Sequence, residues 1–278
     1  MSEFLKKLPE TKNFSIRSFV SGFLFTDGGA SMGVLPKAIW SKKTDVDDKN
    51  RIKLALRHLF ICINGIKIVI DTGIGNILSD KEIKIYKPTQ FTMHQELEKL
   101  GTSPEEIDYV ILTHLHFDHA GGIVSSSEKK AKLTFPNAIY IIQKEEWETA
   151  KNPDKLNKAA YNFDKHLSLL EAKGQIKFFD KSITIEDDIE VVKVGGHSNG
   201  TSIVNIYIDN QKWVYAGDII PNHFHTSLPV ISAYDISRKD TFIAKKDLLD
   251  EANLVIFDHD PIYACTKISN PPFGKIKK

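Results

Sequence analysis

Four apolar runs of strand length in this chain each give out at a residue type that binds metal ions, a repeated coincidence that narrowly limits the fold. Asp108-Tyr-Val-Ile-Leu-Thr runs into His114, and Ile189 to Val194 runs into Gly195-Gly196-His197. Lys212 to Ala216 stops at Gly217-Asp218, and Leu254 to Phe257 stops at Asp258-His259. Strand ends are common places for active-site residues. One sheet edge is therefore expected to gather imidazoles and carboxylates from distant parts of the sequence.

Helical patterns lie between these runs. Phe91 to Leu100 has helical spacing and stops at Gly101, and Ser103-Pro104-Glu105-Glu106 supplies a capping-box start for a second short turn. Residues 144–151 read as a helix. So do residues 154–173, apolar at Leu156, Ala159, Ala160, Phe163, Leu167 and Leu170 and closed by Gly174. Thr241 to Ala252 reads as another, and Ala138 to Ile142 as a strand. Asn64-Gly65 and Asp209-Asn210 read as hairpin turns between apolar strands. Thr26 to Gly33, rich in glycine, reads as a loop that lines a pocket. Interleaved strands and helices predict an α/β layered fold, taken as a single domain over residues 1–278.

Lys+Arg and Asp+Glu number 37 and 36, so the net charge of +1 gives no broad footprint for nucleic acid or an acidic membrane surface. A small or neutral substrate fits better. Cys62 and Cys265 are the two cysteines, and neither a disulfide framework nor a cysteine zinc site is expected. Residues 1–10 lack the apolar core of a signal peptide and no segment has the length of a membrane span, which predicts a cytoplasmic chain.

In His114-Leu-His-Phe-Asp-His119, Asp118 and His119 are adjacent and expected to point in different directions, so a tight loop could divide them between two ions. Imidazole and carboxylate suit zinc, iron, cobalt or manganese. His114, His116, Asp118, His119, His197, Asp218 and His259 make seven candidate ligands. Seven around two ions leave open positions for water, which marks a catalytic rather than a structural site. His58, His94 and His166 stand apart and read as hydrogen-bonded surface or core residues.

Asp71-Thr72-Gly73, Thr113-His-Leu-His-Phe-Asp-His-Ala-Gly-Gly122, Gly196-His197, Gly217-Asp218 and Asp258-His259 resemble the metallo-β-lactamase superfamily. That resemblance implies the four-layer αββα sandwich and two divalent ions, zinc first among the candidates. His114, His116 and His197 would hold one ion, Asp118, His119 and His259 the other, with Asp218 bridging and Asp71 behind them. Residues 23–40, and Gly217-Asp-Ile-Ile-Pro221 followed by His225, look like the branch of quorum-quenching lactonases and methyl parathion hydrolase. The sequence departs from that branch at His197-Ser-Asn-Gly-Thr201, where His-Thr-Pro-Gly-His is usual. It departs again at Pro221, where several lactonases carry a tyrosine.

Two ions sharing Asp218 would present hydroxide to a carbonyl or phosphoryl centre, and Asp118 would relay a proton to the leaving alkoxide. His223 and His225 are candidates to orient substrate or donate a proton in place of the tyrosine. Met32 and Phe117 are candidates for an apolar wall, whereas Phe23, Phe25 and Phe224 read as core. The expected function is hydrolysis of a lactone or ester, N-acyl homoserine lactones first, with organophosphate or aryl ester hydrolysis next and a non-catalytic metal-binding module third. Likeness to the lactonase branch is compatible with a homodimer.

Overall fold

The computed structural model describes residues 10–11, 14–127 and 130–269; residues 1–9, read above for a leader, lie outside them. Along the first half of the chain run β1 Glu10–Thr11, β2 Phe14–Asp27, α1 Gly28–Met32, α2 Lys37–Trp40, β3 Arg51–Ile63, β4 Ile66–Ile70, α3 Asp80–Tyr86, α4 Met93–Lys99, β5 Tyr109–Ile111 and α5 Phe117–Ala120. Then follow β6 Val124–Ser127, β7 Lys130–Leu133, β8 Ile139–Gln143, α6 Lys144–Lys151, α7 Ser168–Lys173, β9 Ile176–Phe179, β10 Ser182–Ile185, β11 Ile189–Lys193, β12 Ser202–Ile208, β13 Gln211–Tyr215, α8 Arg238–Glu251, β14 Leu254–Ile256 and β15 Cys265–Lys267. Two compact units divide the chain. The first comprises Met1–Gly22, Leu56–Asp80 and Thr89–Lys181, and the second Phe23–Ala55, Lys81–Pro88 and Ser182–Lys278.

The first unit is built on a sheet of order β1-β2-β3-β4-β5-β8-β9, whose last four strands run parallel. β3 and β4 form the expected hairpin, pairing Ile63 with Ile66 and Leu59 with Ile70. Asn64 and Gly65 both take positive φ, 50° and 87°, the handedness that a two-residue turn between twisted strands requires. Ile68, Val69 and Ile70 are fully buried, so β4 is apolar without alternation, as a strand covered on both faces must be. Val69, Val110, Tyr140 and Ile142 pack with Leu97, Trp147 and Leu170 in one core, each large side chain contributing roughly 1.5–3 kcal/mol on burial. The parallel strands place Asp71, the loop leading to His114, and α6 at one edge, their carboxyl ends.

The helix expected over residues 154–173 is present only in its second half. Leu156 is 91% exposed, and the Asp154 carboxylate accepts the amide N–H groups of Leu156 and Asn157, closing a turn instead of a helix. A π turn, Phe163–Leu167, then leads into α7, which ends at left-handed Gly174 as expected. The turn has a use: it lets the Ala160 carbonyl accept Phe117 N–H at 2.9 Å.

The second unit is built on the sheet β10-β11-β12-β13-β14-β15. β12 and β13 turn at Asp209 and Asn210, both with positive φ. α8 starts three residues before the expected Thr241 because the Ser237 hydroxyl caps it at Asp240 N–H. It buries Ala244, Leu248 and Leu249 against Ile203, Val214 and Val255. β11 and β13 both run antiparallel to β12, and β14 runs parallel to β13. The carboxyl ends of β11, β13 and β14 therefore share one edge.

Gly28 to Met32, expected as loop, is a helical turn. The Asp27 carboxylate caps it by accepting Ala30 N–H at 2.7 Å. Gly28 is needed there for space rather than for backbone freedom, since a Cβ would come within 2.6 Å of the Trp40 ring. The α/β class expected from the sequence is borne out in both units. Among the described residues no helix is long and apolar enough to cross a membrane.

Candidate metal centre

In the first unit the histidines gather after β5. His114, His116 and His119 are buried, with ring centroids 4.5 Å apart for His114 and His116 and 4.0 Å for His114 and His119. Three imidazoles gathered this closely form a donor set for a metal ion. Asp71, just past β4, sets their tautomers. Its carboxylate accepts Thr113 N–H at 2.8 Å, the Thr113 hydroxyl at 2.9 Å and His119 Nδ1–H at 3.0 Å. With its proton given to Asp71, the Thr113 oxygen accepts His114 Nδ1–H at 3.2 Å. Both rings thereby present Nε2 as the lone-pair atom, the arrangement by which carboxylates orient metal-binding histidines.

The chain pays for that placement with a positive φ of 57° at Asp71. It also needs glycine at two close approaches. A Cβ on Gly122 would lie 2.0 Å from the Thr72 carbonyl oxygen, and one on Gly121 would lie 2.4 Å from that of Ile74. Thr72 N–H donates to the His119 carbonyl and Gly122 N–H to that of Gly73, both at 2.8 Å. The Asp-Thr-Gly and His-Ala-Gly-Gly motifs are thus two sides of one contact. Glu146 secures the same loop from α6, its Oε1 accepting Leu115 N–H at 3.0 Å and the Tyr161 hydroxyl at 2.9 Å. Tyr161 meets the His116 ring edge-on at 4.9 Å. Asp118 and His119, expected to diverge as neighbours, instead bring Oδ2 and Nε2 within 4.0 Å.

In the second unit three strand ends converge on Asp218. His197 Nε2 lies 3.0 Å from Asp218 Oδ2, and His259 Nε2 lies 3.1 Å from Oδ1. Each ring is fixed through its other nitrogen: His197 Nδ1–H donates to Asp235 Oδ1 at 2.8 Å, and His259 Nδ1–H to the Ala55 carbonyl at 2.7 Å. The other ring nitrogen of each histidine, Nε2, faces a carboxylate oxygen of Asp218. Such a contact calls for a cation, either a proton on the ring or a metal ion among the donors. Two donors, each about 2.0–2.2 Å from one zinc ion, approach one another about this closely, so the residues fit a divalent metal. Asp258 and His259 also place donor atoms within 4.8 Å of Asp218's and of each other.

The sequence departures are accommodated locally. Thr201 Oγ1 accepts Ser198 N–H at 2.7 Å, and the Thr201 carbonyl accepts the amides of Val194 and Gly195, locking the loop that carries His197. Pro221 supplies its carbonyl to His259 N–H at 3.0 Å.

His223 and His225 sit on the buried turn His223–Thr226. His223 donates N–H at 2.8 Å and Nδ1–H at 2.6 Å to Asp260. Burial works to raise the Asp260 carboxyl, but the hydrogen bonds and charge of His223 outweigh it and hold the group below the usual carboxylate range. His225 has both ring nitrogens engaged, Nδ1 with Asn222 Oδ1 at 2.8 Å and Nε2 with the Ser31 carbonyl at 3.1 Å. Burial, reinforced by the nearby Lys245 charge, pushes its pKa down to about 3. Met32 is 1% exposed, while Phe117 is half-buried at the start of α5. Of the histidines set aside, His58 is buried and bonded to Ser21 Oγ at 2.7 Å, with burial pushing it down to about 4. His166 is buried, and His94 half-buried. Asp235, Glu146, Tyr161 and Asp260 were not foreseen; none lies in a spaced motif, and the fold brings Asp235, Tyr161 and Asp260 to a histidine and Glu146 to the loop that carries His114 and His116.

Clustered histidines and aspartates of this kind could hold a divalent metal ion. The family model described as the metallo-beta-lactamase superfamily matches residues 59–259, and the chain belongs to that superfamily. The structure is similar to that of a probable metal-dependent hydrolase from Staphylococcus aureus, with a TM-score of 0.85 and 29% identity over 93% of this chain and 94% of the other. It also resembles AidC, described as a dizinc quorum-quenching lactonase, with a TM-score of 0.73 and 20% identity over 93% and 92% of the two chains, a likeness of fold. In sequence it is 37% identical over 73 residues to the N-acyl homoserine lactonase AttM of Agrobacterium fabrum, covering 25% of this chain. That match spans 24% of the lactonase's own length. The fold expected from the sequence motifs is the one found.

Proposed function

We propose that the chain is a metal-dependent hydrolase that opens lactones or esters, with N-acyl homoserine lactones as the leading substrate class. The observation that carries this reading is the pair of oriented imidazoles, His197 and His259, directed at the two oxygens of one carboxylate, Asp218. In the proposal His114, His116 and His197 hold one divalent ion, Asp118, His119 and His259 the other, and Asp218 both. Zinc is the leading ion, in keeping with the description of AidC as dizinc, and iron, cobalt or manganese share the ligand chemistry. Bound there, the ions would supply a metal-activated hydroxide and a Lewis acid for the carbonyl.

The chain's own residues do the rest. Asp71 and Asp235 keep the histidines in the ligating tautomer. Asp118, 14% exposed at its side chain, would hand a proton to the departing alkoxide. His223, fixed through Nδ1 by Asp260, directs Nε2 to substrate in place of the tyrosine that Pro221 replaces. His225 takes a structural part, tying its turn to α1. Phe117 and Met32 are the residues proposed to contact an acyl chain. The small-molecule substrate, the near-neutral charge, the absence of a spanning helix among the described residues and the lactonase likeness together favour a single-domain cytoplasmic enzyme, compatible with a homodimer, that binds neither nucleic acid nor membrane.

The test is a panel of homoserine lactones of graded acyl length beside a phosphotriester and a β-lactam, each assayed before and after chelation. The proposal expects lactone opening that chelation abolishes and a divalent ion restores. Turnover of the phosphotriester alone would move the substrate class to phosphorus, and lactone opening indifferent to chelation would sink the mechanism.

A further inference from the structure

Asp258 lies immediately before His259, in the loop after β14, and is 1% exposed. Its Oδ1 accepts the amide N–H of His259 at 2.8 Å, which fixes the carboxylate, and its Oδ2 lies 3.8 Å from His259 Nε2. One of its oxygens is within 4.8 Å of donor atoms of both Asp218 and His259. Two carboxylates and one imidazole therefore share a small volume from which water is largely excluded. His259 holds its Nδ1–H on the Ala55 carbonyl and turns Nε2 to Asp218 Oδ1 at 3.1 Å, so an imidazole nitrogen and two carboxylates face the same small volume, a donor set that suits a divalent cation.

Across Asp218 the surroundings differ. On the Oδ2 side stands His197, backed by Asp235, which touches His197 Nδ1 and so acts only through that ring. On the Oδ1 side stand His259 and the second carboxylate. We infer that Asp258 is a further metal-binding carboxylate at the His259 end of Asp218, making that position oxygen-rich and selective for a harder divalent ion than the His197 end takes. Imidazole-rich sets favour zinc, and added carboxylate shifts preference towards manganese. The inference rests on the proposed two-ion site and deepens it: the two positions differ in kind, and a mixed pair of ions forms when manganese is in large excess over zinc.

The experiment loads metal-free protein with two equivalents of zinc and a large excess of manganese, since zinc is the tighter binder at equal concentration, removes unbound ions, and counts each metal per chain by mass spectrometry. Manganese paramagnetic resonance is recorded on the same samples. Wild-type protein is expected to retain about one zinc and one manganese. Asp258→Asn, nearly isosteric and still able to accept the His259 amide, is expected to exchange manganese for zinc while keeping two ions in total, with manganese affinity reduced about ten-fold or more. Asp258→Ser serves as a second variant, and circular dichroism shows that each is folded. Unchanged zinc-to-manganese ratios in both folded variants would overturn the assignment of Asp258 while leaving the two-ion reading intact. Fewer than two ions per wild-type chain under every loading condition would instead overturn the two-ion reading and the inference with it.

Discussion

The two units assemble their candidate metal-binding residues in opposite ways. In the first, His114, His116, Asp118 and His119 occupy six consecutive positions on one loop and a short helix, and a single carboxylate, Asp71, orients two of them, one directly and one through Thr113. In the second, His197, Asp218 and His259 arrive from three strand ends, and each histidine has its own holder, Asp235 or the Ala55 carbonyl. A local cluster economises on orienting groups but concentrates its risk in one residue. A distributed one spreads that risk over the register of a whole sheet edge.

The largest expected effect lies where the distributed cluster narrows to one residue. Asp218→Ala should lower lactone hydrolysis by about a thousand-fold or more and release bound metal while the chain stays folded; steady-state kinetics with metal analysis would check this. Next comes acid sensitivity, which both units should share, since each buries a histidine whose pKa is pushed well below its ordinary value. The pKa values of His58 and His225 are lowered to about 4 and about 3, below the unfolded value near 6.5, so the unfolded chain binds the proton first. Their stabilising contribution is then complete above about pH 6.5 and is lost as pH falls towards 4. His58 alone accounts for about 3 kcal/mol over that window. Denaturant titrations at pH 7 and pH 4.5 should show the loss, and His58→Gln should reduce it; an unchanged pH dependence in that variant would remove His58 from the account.

A sharper test of the comparison sets Asp71→Asn beside Asp235→Asn. Each should weaken metal binding by about 10–100-fold, with the greater loss at Asp71 because two histidines depend on it. Equal losses in calorimetric titration would mean that the relay through Thr113 carries no weight. The smallest expected effect is structural. Gly122→Ala should cost about 1–3 kcal/mol by forcing the Thr72 carbonyl away, lowering the melting temperature more than Gly174→Ala, where no atom stands within 4 Å of the added carbon.

The same contrast explains what could be read from the sequence. His114 to His119 was legible because its chemistry is written in one run. His197, Asp218 and His259 were legible because each follows an apolar strand and a turn, and the sheet's parallel carboxyl ends do bring the three to one edge. Asp235 was not legible: it lies 38 residues from His197 in a loop without periodicity, and only tertiary structure pairs them. Helix was wrongly expected at Leu156 because its apolar spacing there is accidental; local capping by Asp154 outweighed it. Loop was wrongly expected at Gly28 to Met32 because glycine suggested freedom where it provides room for Trp40.

The most direct test of the dinuclear claim is anomalous diffraction at the zinc edge from crystals of the metal-loaded protein. The account predicts two peaks flanking Asp218, about 3.5–4 Å apart, one beside His197 Nε2 and the other beside His259 Nε2. A single peak, or two peaks of which neither lies beside Asp218, would contradict it.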